Sequence, residues 1–335
     1  MSAPLLEIAD LDVAFHGDGT PVQALSGVSL RLDPGQVLCI IGESGSGKSV
    51  TLRAMMRLLP ERRARIGGQI SFAGRDVLAM TDRQLRAMRG REMAMIFQEP
   101  MTALDPVYTI GAQIAETVRR HLGGTQAAAR ARALDMLERV GVPSAARRLD
   151  AYPHELSGGL RQRAMIALAL SCGPQLLLAD EPTTALDATV QIQVLLLLRR
   201  LQAELGMGIV FVTHDLGVAA EIADRVAVMY AGRIVEEGSV AEVLGRPAHP
   251  YTAGLLASSV EHVAPGAEIA AIPGAPPDLR ALPPGCSFAP RCRHAVAACD
   301  ATVPPPVRPG PGRMARCFTP LGFAPSGHAV EEHVA

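Results

Sequence analysis

The sequence predicts an α/β fold built on a mainly parallel sheet, and three observations carry that expectation. Four short apolar runs have the composition of buried strands: QVLCII (36–41), MAMIF (93–97), LLLAD (176–180) and GIVFVT (208–213). Segments of helical composition separate them, the order required by a parallel sheet covered with helices. A glycine-rich turn, GESGSGKS (42–49), follows the first run and opens a helix near Lys48. Strand, loop, helix is the setting of a phosphate site.

The elements follow in order. From Leu5 to Asp33, alternating runs such as LEIADLDVAF and VSLRL are punctuated by Gly-Asp-Gly and Asp-Pro-Gly, which reads as an antiparallel β subdomain joined by tight turns. Between about Pro100 and Pro153 no strand pattern occurs, and TQAAARARALDMLERVG has helical composition and period. A helical insertion is expected there, at about 99–160. Past Pro247 the segments PGAPPDLRALPPG and ATVPPPVRPGPG read as too rich in Pro and Gly for regular elements. A small Pro- and Cys-rich C-terminal extension is expected at 256–335, after a domain spanning 1–255.

Composition bounds the function. At 335 residues and 35.3 kDa the chain exceeds what one hydrophobic core usually supports. With 48% hydrophobic and 19% charged residues it is expected to fold. The 32 basic and 33 acidic side chains leave a net charge of -1, no electrostatic reason for a nucleic-acid partner. MSAPLLEIAD lacks the basic start and apolar stretch of a secretory signal, and no apolar run nears the roughly 18 residues that would span a bilayer. The expected protein is soluble by itself. Of the basic residues, 31 are Arg and the single Lys is Lys48, inside the glycine-rich turn. A compact, flexible ammonium is what that position demands.

Gly42-Glu43-Ser44-Gly45-Ser46-Gly47-Lys48-Ser49 satisfies the phosphate-loop pattern in full. Its glycines let successive N–H groups face an anion, and the helix N-terminus adds positive potential. Lys48 is expected to reach the β- and γ-phosphates and Ser49 to ligate Mg²⁺. The run LLLAD ends in Asp180, followed by Glu181, where a nucleotide-binding sheet presents its carboxyl edge. Asp180 is expected to hold Mg²⁺ and Glu181 to polarise the attacking water. These residues support a P-loop NTPase.

Leu156-Ser157-Gly158-Gly159-Leu160-Arg161-Gln162 closely resembles the LSGGQ signature of the ATP-binding cassette (ABC) family, with Leu160 in place of the commonest glutamine. Ser157 and the N–H groups of Gly158 and Gly159 at a helix start form a second anion site. The resemblance implies head-to-tail dimers in which each signature covers the partner's ATP. It extends from residue 5 to about 250 in the family's order. Phe15 matches the position that stacks on adenine, with a half-buried strand residue as the plain alternative. Gln98 matches the Q-loop glutamine that senses γ-phosphate and Mg²⁺. Ala185-Leu186-Asp187 matches the D-loop that contacts the partner, and His214 the switch histidine that bonds the γ-phosphate and orients the Glu181 water. The implied fold is a RecA-like core with antiparallel β and α-helical subdomains.

HPYTAGLL (249–256), the Pro-rich sequence after it and PPGCSFAPRC resemble the C-terminal extension of oligopeptide, dipeptide and nickel importer ATPases. FQEPMTALDPVYTIGAQIAE (97–116) resembles the stretch by which that subfamily receives a membrane subunit. The resemblance implies an ATP-hydrolysing subunit of a peptide importer, peripheral on the cytoplasmic face of the inner membrane. Its implied partners are a second ABC ATPase subunit, identical or different, two permease subunits and, indirectly, an extracytoplasmic solute-binding protein. Nickel, glutathione or another small solute are alternative cargoes; a non-transport ABC ATPase and a regulatory nucleotide-binding subunit are the remaining readings.

Cys286, Cys292, Cys299 and Cys317 are spaced C-x5-C-x6-C-x17-C, which neither common zinc fingers nor bacterial ferredoxins use, so spacing does not choose a metal. Some members of the resembling subfamily carry a 4Fe–4S cluster there; zinc and unligated thiols stay open. Cys39 and Cys172 read as packing residues. The runs ERRAR (61–65) and RQLRAMRGR (83–91) read as solvated faces, with contacts to partner subunits or lipid head groups as the alternative.

Overall fold

The computed structural model describes residues 3–17, 19–98, 103–184, 186–258 and 271–323. Its strands are β1 (Leu6–Phe15), β2 (Val22–Leu32), β3 (Val37–Ile41), β4 (Ala64–Phe72), β5 (Arg75–Asp76), β6 (Met93–Ile96), β7 (Leu176–Asp180), β8 (Gly208–Thr213), β9 (Arg225–Tyr230), β10 (Arg233–Ser239), β11 (Pro306–Gly310) and β12 (Arg313–Arg316). Its helices are α1 (Lys48–Met55), α2 (Asp82–Met88), α3 (Ile110–Leu122), α4 (Gln126–Arg139), α5 (Ala145–Arg148), α6 (Gly158–Leu170), α7 (Ala188–Leu205), α8 (Leu216–Ile222), α9 (Val240–Gly245), α10 (Pro250–Ala257) and α11 (Ala297–Ala301). None is long and apolar enough to cross a membrane among the described residues. The chain forms two compact units, one centred on Phe72–Phe211 and the other on Leu6–Arg31, Val37–Ser71 and the chain from Val212 onward.

In the first unit, β6 and β7 pair in parallel, from Met93 against Leu176 to Ile96 against Ala179, and β7 lies between β6 and β8. Every residue of β7 and β8 is buried, as strands covered on both faces require. The stretch expected to be helical is helical, with no strand among its described residues. Helix α3 starts where Thr109 accepts the Ala112 N–H, and α4 where Thr125 accepts that of Ala128, the standard N-cap arrangement. Ile110, Ile114 and Val118 line the buried face of α3, and Ala129, Ala133, Met136 and Leu137 that of α4, the 3.6-residue period of an amphipathic helix.

The second unit contains two sheets. In one, β1 lies between β2 and β4. In the other the order is β11-β12-β10-β9-β3, with β3 parallel to β9 and the pairs β9–β10, β10–β12 and β11–β12 antiparallel. Strands β11 and β12 correct the expectation that the Pro- and Gly-rich tail holds no regular elements. Proline is tolerated in β11 because this is the sheet's edge, where a missing N–H costs no ladder bond on the open side. The arginines of 61–65 and 83–91 are exposed, apart from a half-buried Arg89, which leaves the runs open to solvent or to a partner surface.

The extension is tied to the sheet through a buried charge. Glu236 of β10 is fully buried; it accepts the Ala248 and His249 N–H groups at 2.8 Å each and pairs with Arg313 of β12 at 2.7 Å. A buried carboxylate persists only when paired and hydrogen-bonded in this way.

Candidate active site

The candidate residues fall into two sets, one in each unit. In the second unit the apolar strand β3 runs into the loop Gly42–Gly47, and α1 begins at Lys48. Two glycines are dictated by space. A Cβ on Gly42 would lie 2.2 Å from the Met229 carbonyl oxygen, and one on Gly47, where φ is +109°, would lie 2.9 Å from that of Ala24. Lys48 is 5% exposed, and its ammonium donates to the carbonyls of Gly42 (2.7 Å) and Glu43 (2.9 Å). The buried Ser46 hydroxyl has no hydrogen-bond partner. A buried unsatisfied donor costs free energy, so a ligand that accepts from Ser46 is favoured. An orphaned hydroxyl, a desolvated ammonium and a helix N-terminus in one loop fit a phosphate chain.

His214 is exposed at the end of β8, and the next residue, Asp215, caps α8 by accepting the Val218 N–H at 3.1 Å. Asp215 therefore has a structural role. Phe15 is half-buried at the end of β1, Ser49 is half-buried in the first turn of α1, and Ser44 and Gly45 are exposed at the loop's tip.

In the first unit, Asp180 closes β7 and is 2% exposed. Glu181 follows with φ of +44°, the left-handed region that non-glycine residues avoid. Strain of this kind, about 1–3 kcal/mol, clusters at functional sites because surrounding structure must enforce it. The Glu181 carboxylate accepts from Thr184 Oγ1 at 3.0 Å and from Gln98 Nε2 at 3.4 Å, so two residues named from sequence meet at one carboxylate. Thr184 was not named; its signal was its place three residues beyond Glu181, within side-chain reach of a tight turn.

Ser157 is the N-cap of α6, accepting the Leu160 N–H, and is exposed together with Gly158. Gly159 must be small because a Cβ there would lie 2.9 Å from Val190 Cγ1. Gln162, one turn further on, is buried and donates to the Pro182 carbonyl. This link between α6 and the turn after Glu181 escaped the sequence reading because Gln162 stood there only as the end of a motif. Asp187 caps α7 by accepting the Val190 N–H at 3.0 Å; Ala185 lies outside the described residues.

The four clustered cysteines lie in the second unit, with Cys299 and Cys317 buried. Cys286 donates its N–H to the Cys299 carbonyl at 2.7 Å. Burial pushes the thiols of Cys286, Cys292 and Cys317 up, and the neighbouring cysteines add to the effect. Yet among the described residues no group of three or more His, Cys, Asp or Glu side chains is placed to hold a metal ion. The arrangement gives no support to the expected 4Fe–4S or zinc site. Cys39 and Cys172 are buried and their thiols are pushed up by burial, as packing residues should be.

Residues 25–184 match the family described as ABC transporter, and residues 235–299 match the oligopeptide/dipeptide transporter C-terminal region. A putative peptide import ATP-binding protein of Brucella melitensis is 50% identical over 327 residues, covering 94% of this chain and 97% of that one. A probable peptide ABC transporter ATP-binding protein of Sinorhizobium fredii is 49% identical over 317 residues, covering 94% of each. Among solved structures, a dimeric ATP-binding cassette in a post-hydrolysis state with ADP and Pi is 28% identical with a TM-score of 0.63, covering 70% of this chain and 98% of that one. A Clostridium perfringens protein described as part of an ABC transporter complex is 26% identical with a TM-score of 0.63, covering 73% of this chain and 92% of that one.

Proposed function

The chain belongs to the ABC transporter family, and from that premise we propose that it is the ATP-hydrolysing subunit of an importer of di- and oligopeptides. The observation that carries the chemistry is the phosphate loop, with its orphaned Ser46 hydroxyl and its buried Lys48 ammonium. The cargo class is supported by the tail match and by the relatives' names.

In this reading Lys48 swings from its loop carbonyls onto the β- and γ-phosphates, while Ser46 and the loop N–H groups cradle them. Ser49, Asp180 and Gln98 are the residues that would hold Mg²⁺, and the ion would offset the charge on the phosphates. Glu181 takes a proton from the attacking water, positioned for that by its strained backbone and by Thr184 and Gln98. His214 bonds the γ-phosphate, and Phe15 stacks on adenine. Ser157, Gly158 and Gly159 cap the ATP of a second ATPase subunit, with Asp187 beside them; the exposed start of α6 supports this. Residues 1–255 form the nucleotide-binding domain and 256–335 the extension. The subunit works on the cytoplasmic face of the membrane against two permease subunits. The 4Fe–4S reading of Cys286, Cys292, Cys299 and Cys317 rests on the resemblance to the importer subfamily and on the four thiol donors, and iron and sulfide analysis of anaerobically purified protein decides it.

Glu181→Gln is expected to bind MgATP normally and to lose about a hundredfold or more in turnover, with Lys48→Ala losing nucleotide binding. Paired titration and phosphate-release assays check both. Near-normal hydrolysis by Glu181→Gln removes the base role, and unchanged binding by Lys48→Ala removes the phosphate assignment.

A further inference from the structure

Glu43 places a carboxylate in the second position of the phosphate loop, where negative charge opposes an anionic ligand. Within the second unit that carboxylate is gripped by Arg291 through two parallel hydrogen bonds, Nη1 to Oε2 at 2.8 Å and Nη2 to Oε1 at 3.0 Å. Arg291 ends a short 3-10 turn, Ala289–Arg291, of the C-terminal extension. It is 7% exposed. Its Nε donates to the Pro273 carbonyl at 2.8 Å and its Nη1 also to the Tyr230 hydroxyl at 3.2 Å. Its guanidinium lies 5.8 Å from the Tyr230 ring centroid and 6.0 Å from that of Phe288, and these two rings pack with Tyr251 at centroid distances of 4.6–5.4 Å. A guanidinium held on this many sides is fixed in orientation, and the two-point geometry is one that lysine cannot reproduce.

The main chain of Glu43 is held as well. Its N–H donates to the Tyr251 hydroxyl at 2.9 Å, and its carbonyl accepts from Lys48 Nζ at 2.9 Å and from the Ser46 N–H at 3.2 Å. Glu43 is thus the point at which the loop's lysine, α10 and the extension meet.

We propose that Arg291 is a positioning residue of the nucleotide site: from the C-terminal extension it neutralises Glu43 and fixes the phosphate loop in its receptive shape. The proposal rests on the ATPase reading. It gives the extension a task at the ATP site.

The test uses full-length protein, titrated with MgADP and assayed for KM and kcat with MgATP. Arg291→Gln strands the Glu43 carboxylate beside the phosphates, and is expected to weaken MgADP binding and raise KM about tenfold, the scale of one lost charge-assisted contact. Its kcat should stay within about twofold, because Arg291 touches no reacting atom. Raised salt should shrink the defect. Glu43→Gln combined with Arg291→Gln removes both charges, and is expected to recover affinity to within about threefold of the parent. Arg291→Lys keeps the cation without the fork and should fall between the two.

A purely structural Arg291 would lower the melting temperature of both the single and the double variant and leave the double no better at binding. That result overturns the proposal, as does parent-like affinity in Arg291→Gln. If Arg291→Gln fails to fold, parent-like affinity and KM in Arg291→Lys overturn it instead. Should the parent bind no nucleotide, the ATPase reading falls first and this inference with it. If the parent binds, Lys48→Ala does not, and Arg291→Gln matches the parent, only this inference falls.

Discussion

Burial sets the behaviour of His249. It is 1% exposed, and its Nδ1 accepts the Tyr251 N–H at 3.0 Å, capping α10. Burial depresses its pKa from 6.5 to about 4, against a smaller opposing effect of a hydrogen bond to the Arg316 main chain. A proton on Nδ1 would break the cap. The buried charges nearest in the network, Glu236 and Arg313, already pair with each other. Because the folded pKa lies below the unfolded one, the unfolded chain binds more protons between the two values. Stability is therefore full above about pH 6.5 and is lost as pH falls toward 4, by on the order of 3 kcal/mol. His249→Asn keeps a capping side chain without the titration, so its urea midpoint should fall less than the parent's between pH 7 and pH 4. Equal slopes for the two proteins would refute this. At this scale the candidate site was legible where its residues are contiguous, as in the run from Gly42 to Ser49. Arg291 and Tyr251 were not, because their partner Glu43 lies 248 and 208 residues away.

Strands β9 and β10 show why some elements were illegible. The run RIVEEGS carries two adjacent acids and looks like a solvated segment, yet Glu236 and Glu237 are both buried. Each has an arginine, Arg313 for Glu236 and Arg225 for Glu237, and no local pattern announces such pairs. β11 and β12 were hidden likewise, since prolines and glycines that break most strands sit here on an open edge. Arg313→Met should strand the Glu236 charge and cost about 3–5 kcal/mol. Adding Glu236→Gln should restore much of that, by thermal or urea unfolding. A single variant as stable as the parent would show that the hairpin is not held by this pair. The apolar strands β3, β6, β7 and β8, by contrast, stood out because each is a short uninterrupted hydrophobic run, and the helices α3 and α4 because their period and caps agree.

For the molecule as a whole, composition and function converge on one atom. The sequence has 31 arginines and one lysine, and that lysine is 5% exposed with its ammonium turned onto the loop carbonyls. Guanidinium groups stay protonated and are poor nucleophiles at neutral pH, whereas a free amine is a good one. An acylating reagent therefore has a single side-chain amine to find in the entire polypeptide, besides the terminal one. Peptide mapping by mass spectrometry, which separates Lys48 from the terminal amine, should register the Lys48 adduct slowly in the empty protein and not at all under saturating nucleotide. Equal labelling with and without nucleotide would mean that the ligand leaves Lys48 accessible. The chain thus carries its own occupancy reporter, readable without a tag or an engineered cysteine.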